Sequence, residues 1–371
     1  MRSESVFLAG SGALLLSCLL SACGGGAAGT GASSPPVQGG STTSGSNTGT
    51  TGSTTGGTAA SGMGAAIAAA NKAAATDPLC SVDTLGDFYW EIGTANSGTP
   101  VASGAQGQGS VTASSIFNIA SASKWIFGAY VLEKKGLDQV RNDASLRDGL
   151  RFMSGYTGLN DNACIGKLTI GACFIAGMAG TPGQTSQPDP ATVGKFDYDS
   201  GHDQKLAAQD MGMANFSAAQ LDREYQNTLG LSQGFNMAGL DPLMAGGMMG
   251  SANDYAQFLR KIMNKELVIG NHLGADAVCT LPSACPGQVV YSPIVVLNEP
   301  WTYSYNHWVE SEHGNGSIDA YSSPGKWGFY PWISADQKYY GIVSRHDKTP
   351  GAYAASVKCG RQIRKAFFAA L

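Results

Sequence analysis

Apolar positions recur along the chain with two different periods, and their order predicts a mixed fold. The Ala-rich stretch 63–77 and the final stretch 356–371 have the pattern of helices. Runs of aromatic and branched residues predict strands at 86–93, 303–311, 325–334 and 337–347, with one or two more in 94–110. Between about 121 and 265 the period is helical instead, at 123–136, 145–155, 217–230 and 251–266. This order predicts a mixed sheet with a mostly helical insertion.

The first residues predict an exported protein. A single basic residue, Arg2, precedes the apolar run "VFLAGSGALLLSCLL", which ends in small residues. This run is too short and wrongly flanked for a membrane-spanning helix, so residues 1–22 are interpreted as a signal peptide. The four residues 20–23 resemble a bacterial lipobox, which implies lipid on Cys23 and cleavage just before it. The alternative is ordinary signal cleavage beside an incidental cysteine. With the lipid, we expect anchoring to a bacterial membrane, at the outer-membrane or periplasmic face or the cell surface.

A tether and a single domain follow. Residues 24–61 are nearly all Gly, Ser, Thr and Ala and include neither a charged nor an aromatic side chain. Such a segment cannot bury enough apolar surface to offset its ordering entropy, so residues 23–61 are predicted to be a flexible linker. No second break of this kind interrupts residues 62–371. We therefore expect one domain, with its helical region at about 116–265, and a monomer whose contact with a membrane is made by the lipid anchor alone.

Charge and cysteine content narrow the function further. The formal net charge is −4 and the basic residues are scattered, which argues against nucleic-acid binding. Of eight cysteines, six remain after Cys18 and Cys23 are set aside, an even number that fits disulfides in an oxidising compartment. Zinc is the competing interpretation, but the sequence has no C-x-x-C and its five histidines are dispersed. We expect no metal and no cofactor. Two cysteine pairs are close in sequence and leave a third that joins the domain's ends: Cys164–Cys173, Cys279–Cys285 and Cys80–Cys359.

The stretch "FNIASASKWIFGAY", residues 117–130, carries the candidate chemistry. Ser121 and Lys124 are three residues apart on the first turn of a helix whose body is apolar on all sides, so both should lie at the top of a buried helix. Desolvation favours the uncharged amine, and a neutral Lys124 could accept a proton from Ser121. Free N–H groups at the helix N-terminus would help to stabilise an oxyanion. The alternative is a capping serine followed by a solvated lysine.

This motif in its context resembles the serine β-lactamase and penicillin-binding-protein superfamily, and most closely its class C β-lactamase and esterase branch. Segments 145–159, 245–264, 303–311 and 322–334 are similar to that branch as well. The resemblance covers most of 88–345 and implies an antiparallel sheet flanked by N- and C-terminal helices, with a helical inserted region, in an α/β (α+β) protein. It also implies that Ser121, rather than Ser123, is the nucleophile, because the family places the attacking hydroxyl three residues before the lysine.

The second family motif has a counterpart here. Tyr198 and Ser200 match the Tyr-x-Asn or Tyr-x-Ser motif, which implies that Tyr198 is a general base and acid and that Ser200 holds Lys124 or the substrate. The alternative for Tyr198 is a surface-loop tyrosine.

The third family motif, Lys-Thr-Gly, is replaced by Ser323-Pro324-Gly325-Lys326. The backbone N–H groups of Ser121 and Lys326 would form the oxyanion hole. Ser323, Gly325 and Trp327 would contact the substrate, with Gly325 allowing a close approach of the backbone.

Together these features predict a serine hydrolase that forms an acyl-enzyme on a small ester or amide. The cation that precedes the glycine in the family is missing here, and in the family it binds a substrate carboxylate. An uncharged ester or amide is therefore expected before the alternatives, a β-lactamase or a D,D-peptidase. An alternative of another class is a catalytically weakened, membrane-tethered binding or scaffold lipoprotein.

Overall fold

The computed structural model describes residues 62–180, 187–239 and 241–371. The predicted signal peptide, the lipidation site Cys23 and the predicted linker lie outside the described residues. Within the described part of the chain, no helix is both long and apolar enough to cross a bilayer.

Most helices begin and end close to where the sequence pattern places them, but the predicted helix 145–155 ends at Leu150. Longer helices are α1 (Met63–Thr76), α3 (Ala122–Lys135), α8 (Ala218–Leu229), α9 (Ala252–Met263) and α10 (Ala352–Ala369). Shorter helices are α2 (Val82–Leu85), α4 (Leu137–Asn142), α5 (Ala144–Leu150), α6 (Ile170–Met178) and α7 (Gly201–Lys205). Capping boxes at Ser217 and Ser251 start α8 and α9, because each serine hydroxyl accepts the N–H of the third helical residue.

The described strands form one large sheet and two small ones. In chain order they are β1 (Phe88–Thr94), β2 (Ala102–Gln106), β3 (Phe117–Asn118), β4 (Phe196–Asp197), β5 (Asn236–Met237), β6 (Met248–Gly250), β7 (Val278–Cys279), β8 (Val289–Tyr291), β9 (Thr302–Ser304), β10 (His307–Glu310), β11 (Ala320–Ser322), β12 (Tyr330–Ser334) and β13 (Tyr339–Ser344). The large sheet has the order β2-β1-β13-β12-β11-β10-β9-β7, and every pairing in it is antiparallel.

Helices cover both faces of the large sheet. Alternate strand residues point to opposite faces: Trp90 and Val343 belong to the core that includes α1 and α10, whereas Tyr89 and Ile342 belong to the core that includes α3 and α9. The second core is the larger one and encloses α3, which is buried continuously from Ala122 to Leu132. The predicted architecture, an antiparallel sheet between terminal helices and a helical insertion, is confirmed.

Three disulfides join the six cysteines of the described residues. Cys80 and Cys359 are bonded across a sequence separation of 279, which ties the segment after α1 to α10. The other two bonds are local, Cys164 with Cys173 and Cys279 with Cys285. Disulfides of this kind indicate an oxidising, exported environment.

Two predicted strands are shorter in the structure than the apolar pattern suggested. Segment 303–311 is a hairpin, because Tyr305 and Asn306 adopt left-handed conformations with φ of 32° and 63° and turn the chain between β9 and β10. In segment 325–334 only β12 is extended, because the Gly325 N–H donates to the Phe329 carbonyl at 2.7 Å and closes a turn. The helical insertion also contains short strands, β4, β5 and β6.

Candidate functional site

The turn between β3 and α3 places Ser121 at the mouth of a cleft. Ala120, the residue before it, has φ of 46°, an uncommon conformation for a side chain with a Cβ. The Asn118 carboxamide oxygen holds this turn by accepting the Ala120 N–H at 2.7 Å. Ser121 is the first residue before α3, but its hydroxyl caps no backbone N–H. The Ser121 hydroxyl is therefore available to another partner. The positive φ of Ala120 beside it is a backbone outlier of the kind that clusters at active sites.

Lys124 supplies that partner from inside the protein. Its side chain is 3% exposed, and its Nζ donates to the Ser121 Oγ at 3.1 Å and to the Ala245 carbonyl at 2.7 Å. A buried amine needs such partners, because isolated burial of a charge is costly. The structure thus places a basic nitrogen within hydrogen-bond distance of the hydroxyl predicted to attack.

Tyr198 closes the other side of this amine. It directly follows β4, and its backbone N–H donates to the Tyr291 carbonyl at 3.0 Å. Its ring centroid lies 4.9 Å from the Lys124 Nζ, and its ring stacks on Trp308 at 5.3 Å. Stacking on a fully buried tryptophan fixes the ring in place, so Tyr198 is a positioned side chain facing the amine rather than a free surface tyrosine.

A cavity of about 530 Å³ opens above these three residues. The predicted site residues that line it are Ser121, Lys124, Tyr198, Ser200, Lys326 and Trp327. The hydrogen bonds of Lys124 to described residues go to Ser121 and Ala245. Ser200 therefore lines the cavity but forms no hydrogen bond with the Lys124 amine. The cavity volume is in the range of small-molecule sites.

The two backbone groups predicted to hold an oxyanion have no competing partner. Within the described part of the chain, neither the Ser121 N–H nor the Lys326 N–H donates a hydrogen bond to another residue. Both residues line the cavity. Their role in stabilising a developing negative charge stays a prediction.

Ser323 and Gly325 occupy different positions from those expected. Ser323 is 2% exposed and lies behind the nucleophile, where its hydroxyl donates to the Ser121 carbonyl at 2.9 Å. Gly325 is buried against the chain's own backbone, because a Cβ there would lie 2.2 Å from the Ile119 carbonyl oxygen. Neither residue lines the cavity. Both therefore support the turn that carries Ser121, and a contact of either residue with a substrate stays a prediction.

The close contact between Gly325 and the Ile119 backbone predicts that Gly325→Ala destabilises the protein. The new methyl group would collide with the Ile119 backbone two residues before Ser121, so the turn has to shift. We expect a loss of about 3 kcal/mol in the free energy of unfolding, measured by chemical denaturation.

A matched control is Gly98→Ala, because no atom lies within 4 Å of a Cβ at Gly98. The control is expected to change the free energy of unfolding by less than about 0.5 kcal/mol. Equal stability of the two variants would show that the Gly325 contact is not restrictive.

Several other polar and aromatic side chains belong to the core. Ser123 is 3% exposed, and its hydroxyl accepts the Met248 N–H at 3.3 Å, so it faces away from the cleft. Tyr330 and Trp332 are buried in the sheet core, whereas Trp327 does line the cavity. Of the histidines, His202 and His307 are fully buried, and no histidine lines the cavity.

The cavity also contains an acidic wall that the sequence did not single out. Asp161, Asp199 and Asp241 line it. Burial raises the pKa of both Asp199 and Asp241, and the charge of Asp161 adds to this increase, while backbone N–H groups that donate to Asp199 oppose it there. Asp161 lies in a short 3₁₀ helix and Asp241 in a loop, whereas Asp199 is the middle residue of the Tyr198–Ser200 motif, a position at which the motif specifies no residue type. Within the described chain, no group of three or more His, Cys, Asp or Glu side chains is arranged to hold a metal ion.

Comparison with known proteins identifies the fold. No protein-family model matches the chain, and no curated protein matches it. Among solved structures, EstCE1, a hydrolase with promiscuous acyltransferase activity, is 13% identical and has a TM-score of 0.56, over 82% of this chain and 99% of its own. A D-stereospecific amidohydrolase from a Streptomyces species is 12% identical with a TM-score of 0.55, over 79% and 98% of the two chains.

A third structure, of a protein classed provisionally as a β-lactamase from Bacteroides dorei, is 20% identical. Its TM-score is 0.53, over 77% of this chain and 94% of its own. At such low identity the likeness shows the fold alone. The resemblance seen in the sequence is confirmed at that level: the chain has the β-lactamase/transpeptidase-like fold.

Proposed function

We propose that this protein is a serine hydrolase that forms an acyl-enzyme through Ser121 on an uncharged ester or amide. The observation that supports this most is the 3.1 Å contact between the Lys124 Nζ and the Ser121 Oγ at the base of a cavity that Tyr198 also lines. The hydrolase fold of the structural neighbours supports the same reaction class. A binding protein would have no need to bury an amine beside a hydroxyl in this way.

The reaction divides into two halves. The Ser121 Oγ attacks the substrate carbonyl carbon while its proton passes to the Lys124 and Tyr198 pair, and the N–H groups of Ser121 and Lys326 stabilise the tetrahedral oxyanion. Collapse breaks the bond to the leaving group, which takes the proton through Tyr198. Water then attacks the acyl-enzyme, its proton passes to the same pair, and release of the acid returns the proton to Ser121.

The charge of the cavity supports an uncharged substrate. Its lining contains three carboxylates but only one exposed cation, Lys326, whose Nζ lies 4.9 Å from the Trp327 ring centroid. A carboxylate-bearing β-lactam or peptide terminus would face this acidic wall without the usual cation before the glycine. The lining also includes apolar surface, with Pro293, Leu297 and Tyr353 partly accessible, and this surface fits an apolar acyl or alkoxy group.

We further propose that a lipid on Cys23 tethers this hydrolase to a membrane. The disulfides support export, and the lipobox-like residues 20–23 support the anchor. Radiolabelled fatty-acid incorporation that is lost in Cys23→Ala would be the expected result; incorporation that persists in Cys23→Ala would contradict the assignment.

Steady-state hydrolysis of three substrate types tests the function. We expect kcat/KM for a neutral butyrate ester to exceed that for a chromogenic cephalosporin and for a peptide ending in D-alanyl-D-alanine by about 100-fold or more. Ser121→Ala should remove all hydrolysis, whereas Ser123→Ala should retain it within a few-fold. Faster hydrolysis of the cephalosporin or the peptide would overturn the substrate assignment, and turnover of none of the three by the wild type would favour the scaffold alternative.

A further inference from the structure

A buried acid and a buried amide face each other with only half of their hydrogen bonds made. Asp203, in α7, and Asn306, in the turn between β9 and β10, are both 0% exposed. The Asn306 Nδ2 donates to the Asp203 Oδ1 at 2.8 Å. Within the described residues the remaining oxygens, Asp203 Oδ2 and Asn306 Oδ1, have no partner. An ionised carboxylate and an amide oxygen are both acceptors, so neither can satisfy the other.

One proton added to Asp203 would give both of these oxygens a hydrogen bond. A protonated Asp203 can donate from Oδ2 to the Asn306 Oδ1 while it accepts from Nδ2, which forms a two-bond acid–amide pair. Leaving two buried acceptors unpaired would cost several times what a normal hydrogen bond contributes. The native turn supports this geometry, since the Asn306 N–H is itself held by the Leu150 carbonyl at 2.9 Å.

The pair lies against the helix that carries the candidate base. A Cβ at Gly128 would lie 2.6 Å from the Tyr305 carbonyl oxygen and 2.7 Å from the Asn306 Cβ, so the turn packs directly on α3. Gly128 and Lys124 are four residues apart on one face of α3. The turn that carries Asn306 therefore packs on α3 about one helical turn after Lys124.

We propose that Asp203 is a positioning residue that holds a proton in a two-bond pair with Asn306, and that its neutral state keeps Lys124 able to accept the proton of Ser121. The proposal rests on the function proposed above. An ionised Asp203 would place a negative charge near the amine, stabilise the ammonium and weaken the base. A neutral Asp203 removes that counter-charge.

The groups around Asp203 make Lys124 its main electrostatic partner. Lys124 of α3 is the cation that acts on it, while Tyr225 of α8 and Tyr303 of β9 are buried phenols that feel its charge. Burial raises the pKa of Asp203 to about 7, and the Lys124 charge opposes this increase. His202, which also feels Lys124, has its pKa lowered by burial to about 3 and is therefore neutral near pH 7.

The rate at which a fluorophosphonate labels Ser121 tests this role. For the wild type we expect the second-order rate to fall by about tenfold between about pH 6 and pH 9, as Asp203 ionises. Asp203→Asn mimics the neutral acid and should abolish that fall. Asn306→Asp adds a second carboxyl that shares one proton, tolerates the left-handed backbone of this turn, and should slow labelling throughout this range.

Superimposable profiles for wild type and Asp203→Asn would overturn the proposal, as would an Asp203→Asn variant at least tenfold slower at every pH. Infrared difference spectra examine the acid independently of catalysis. We expect a carbonyl band of a protonated carboxylic acid in the wild type at about pH 6 that Asp203→Asn lacks; its absence would refute the pair. If the band is present but Ser121 is labelled in no protein, the acyl-transfer function fails and the role of Asp203 in it is rejected, while the pairing itself stands.

Discussion

Lys124→Met is expected to lower kcat/KM for a neutral chromogenic ester by about 10⁴-fold. Methionine has a similar length and tolerates the buried position beside the Tyr198 ring, but it cannot accept the Ser121 proton. The Ser121 hydroxyl would lose its 3.1 Å contact with the amine and become a weak nucleophile. Initial-rate measurements at several ester concentrations give the loss directly.

The fold should survive this change. The Ala245 carbonyl loses the Lys124 donor, which we expect to cost about 1–3 kcal/mol in the free energy of unfolding. Ser123→Ala is the matched control, because it removes a hydroxyl from the same helical turn that faces Met248 instead of the cleft. Activity of Lys124→Met within tenfold of the wild type would contradict a role for this amine as base.

Asp203→Asn is expected to remove a large part of the pH dependence of stability. Burial raises the pKa of Asp203 from its ordinary value of 3.8 to about 7 in the folded state. Below about pH 3, well under the ordinary pKa, the acid is protonated in both folded and unfolded states and has no effect. As the pH rises to about 7 the unfolded chain ionises while the folded protein holds the proton, so the wild type loses stability. The variant cannot ionise at this position. Relative to the wild type, its free energy of unfolding should therefore increase by about 4 kcal/mol between low pH and pH 8.

Chemical denaturation at about pH 4, 6 and 8 measures this difference. Burial raises the pKa of Asp197 to about 6, but this acid titrates in both proteins and cancels in the comparison. Asp138→Asn is the control, because water solvates this exposed carboxylate in either state. A constant difference between Asp203→Asn and the wild type across the three pH values would show that Asp203 is ionised in the folded protein.

Much of the fold follows from local sequence patterns. The continuous apolar body of α3 predicts burial of the helix, and this burial takes the Lys124 amine out of solvent. Helices α8 and α9 were predictable as well, because their apolar residues recur with the helical period. The hairpin at Tyr305 and Asn306 was not, because two non-glycine residues with positive φ have no strong signature in sequence.

The site was predictable where its side chains belong to a sequence motif. Ser121 and Lys124 are neighbours on one helical face, so their spacing suffices. The second partner of Lys124 is the Ala245 carbonyl, a backbone atom 121 residues away that no residue type marks. Asp203 and Asn306 meet across a separation of 103 residues, and Ser323 binds the Ser121 carbonyl across 202. Such contacts depend on tertiary packing and appear only in the folded chain.

Mass spectrometry of the protein after reaction with a fluorophosphonate tests the assignment of Ser121 as the nucleophile. We expect one adduct per molecule, located on the peptide that contains Ser121, absent from Ser121→Ala and retained in Ser123→Ala. No adduct on the wild-type protein, or an adduct that persists in Ser121→Ala, would contradict it.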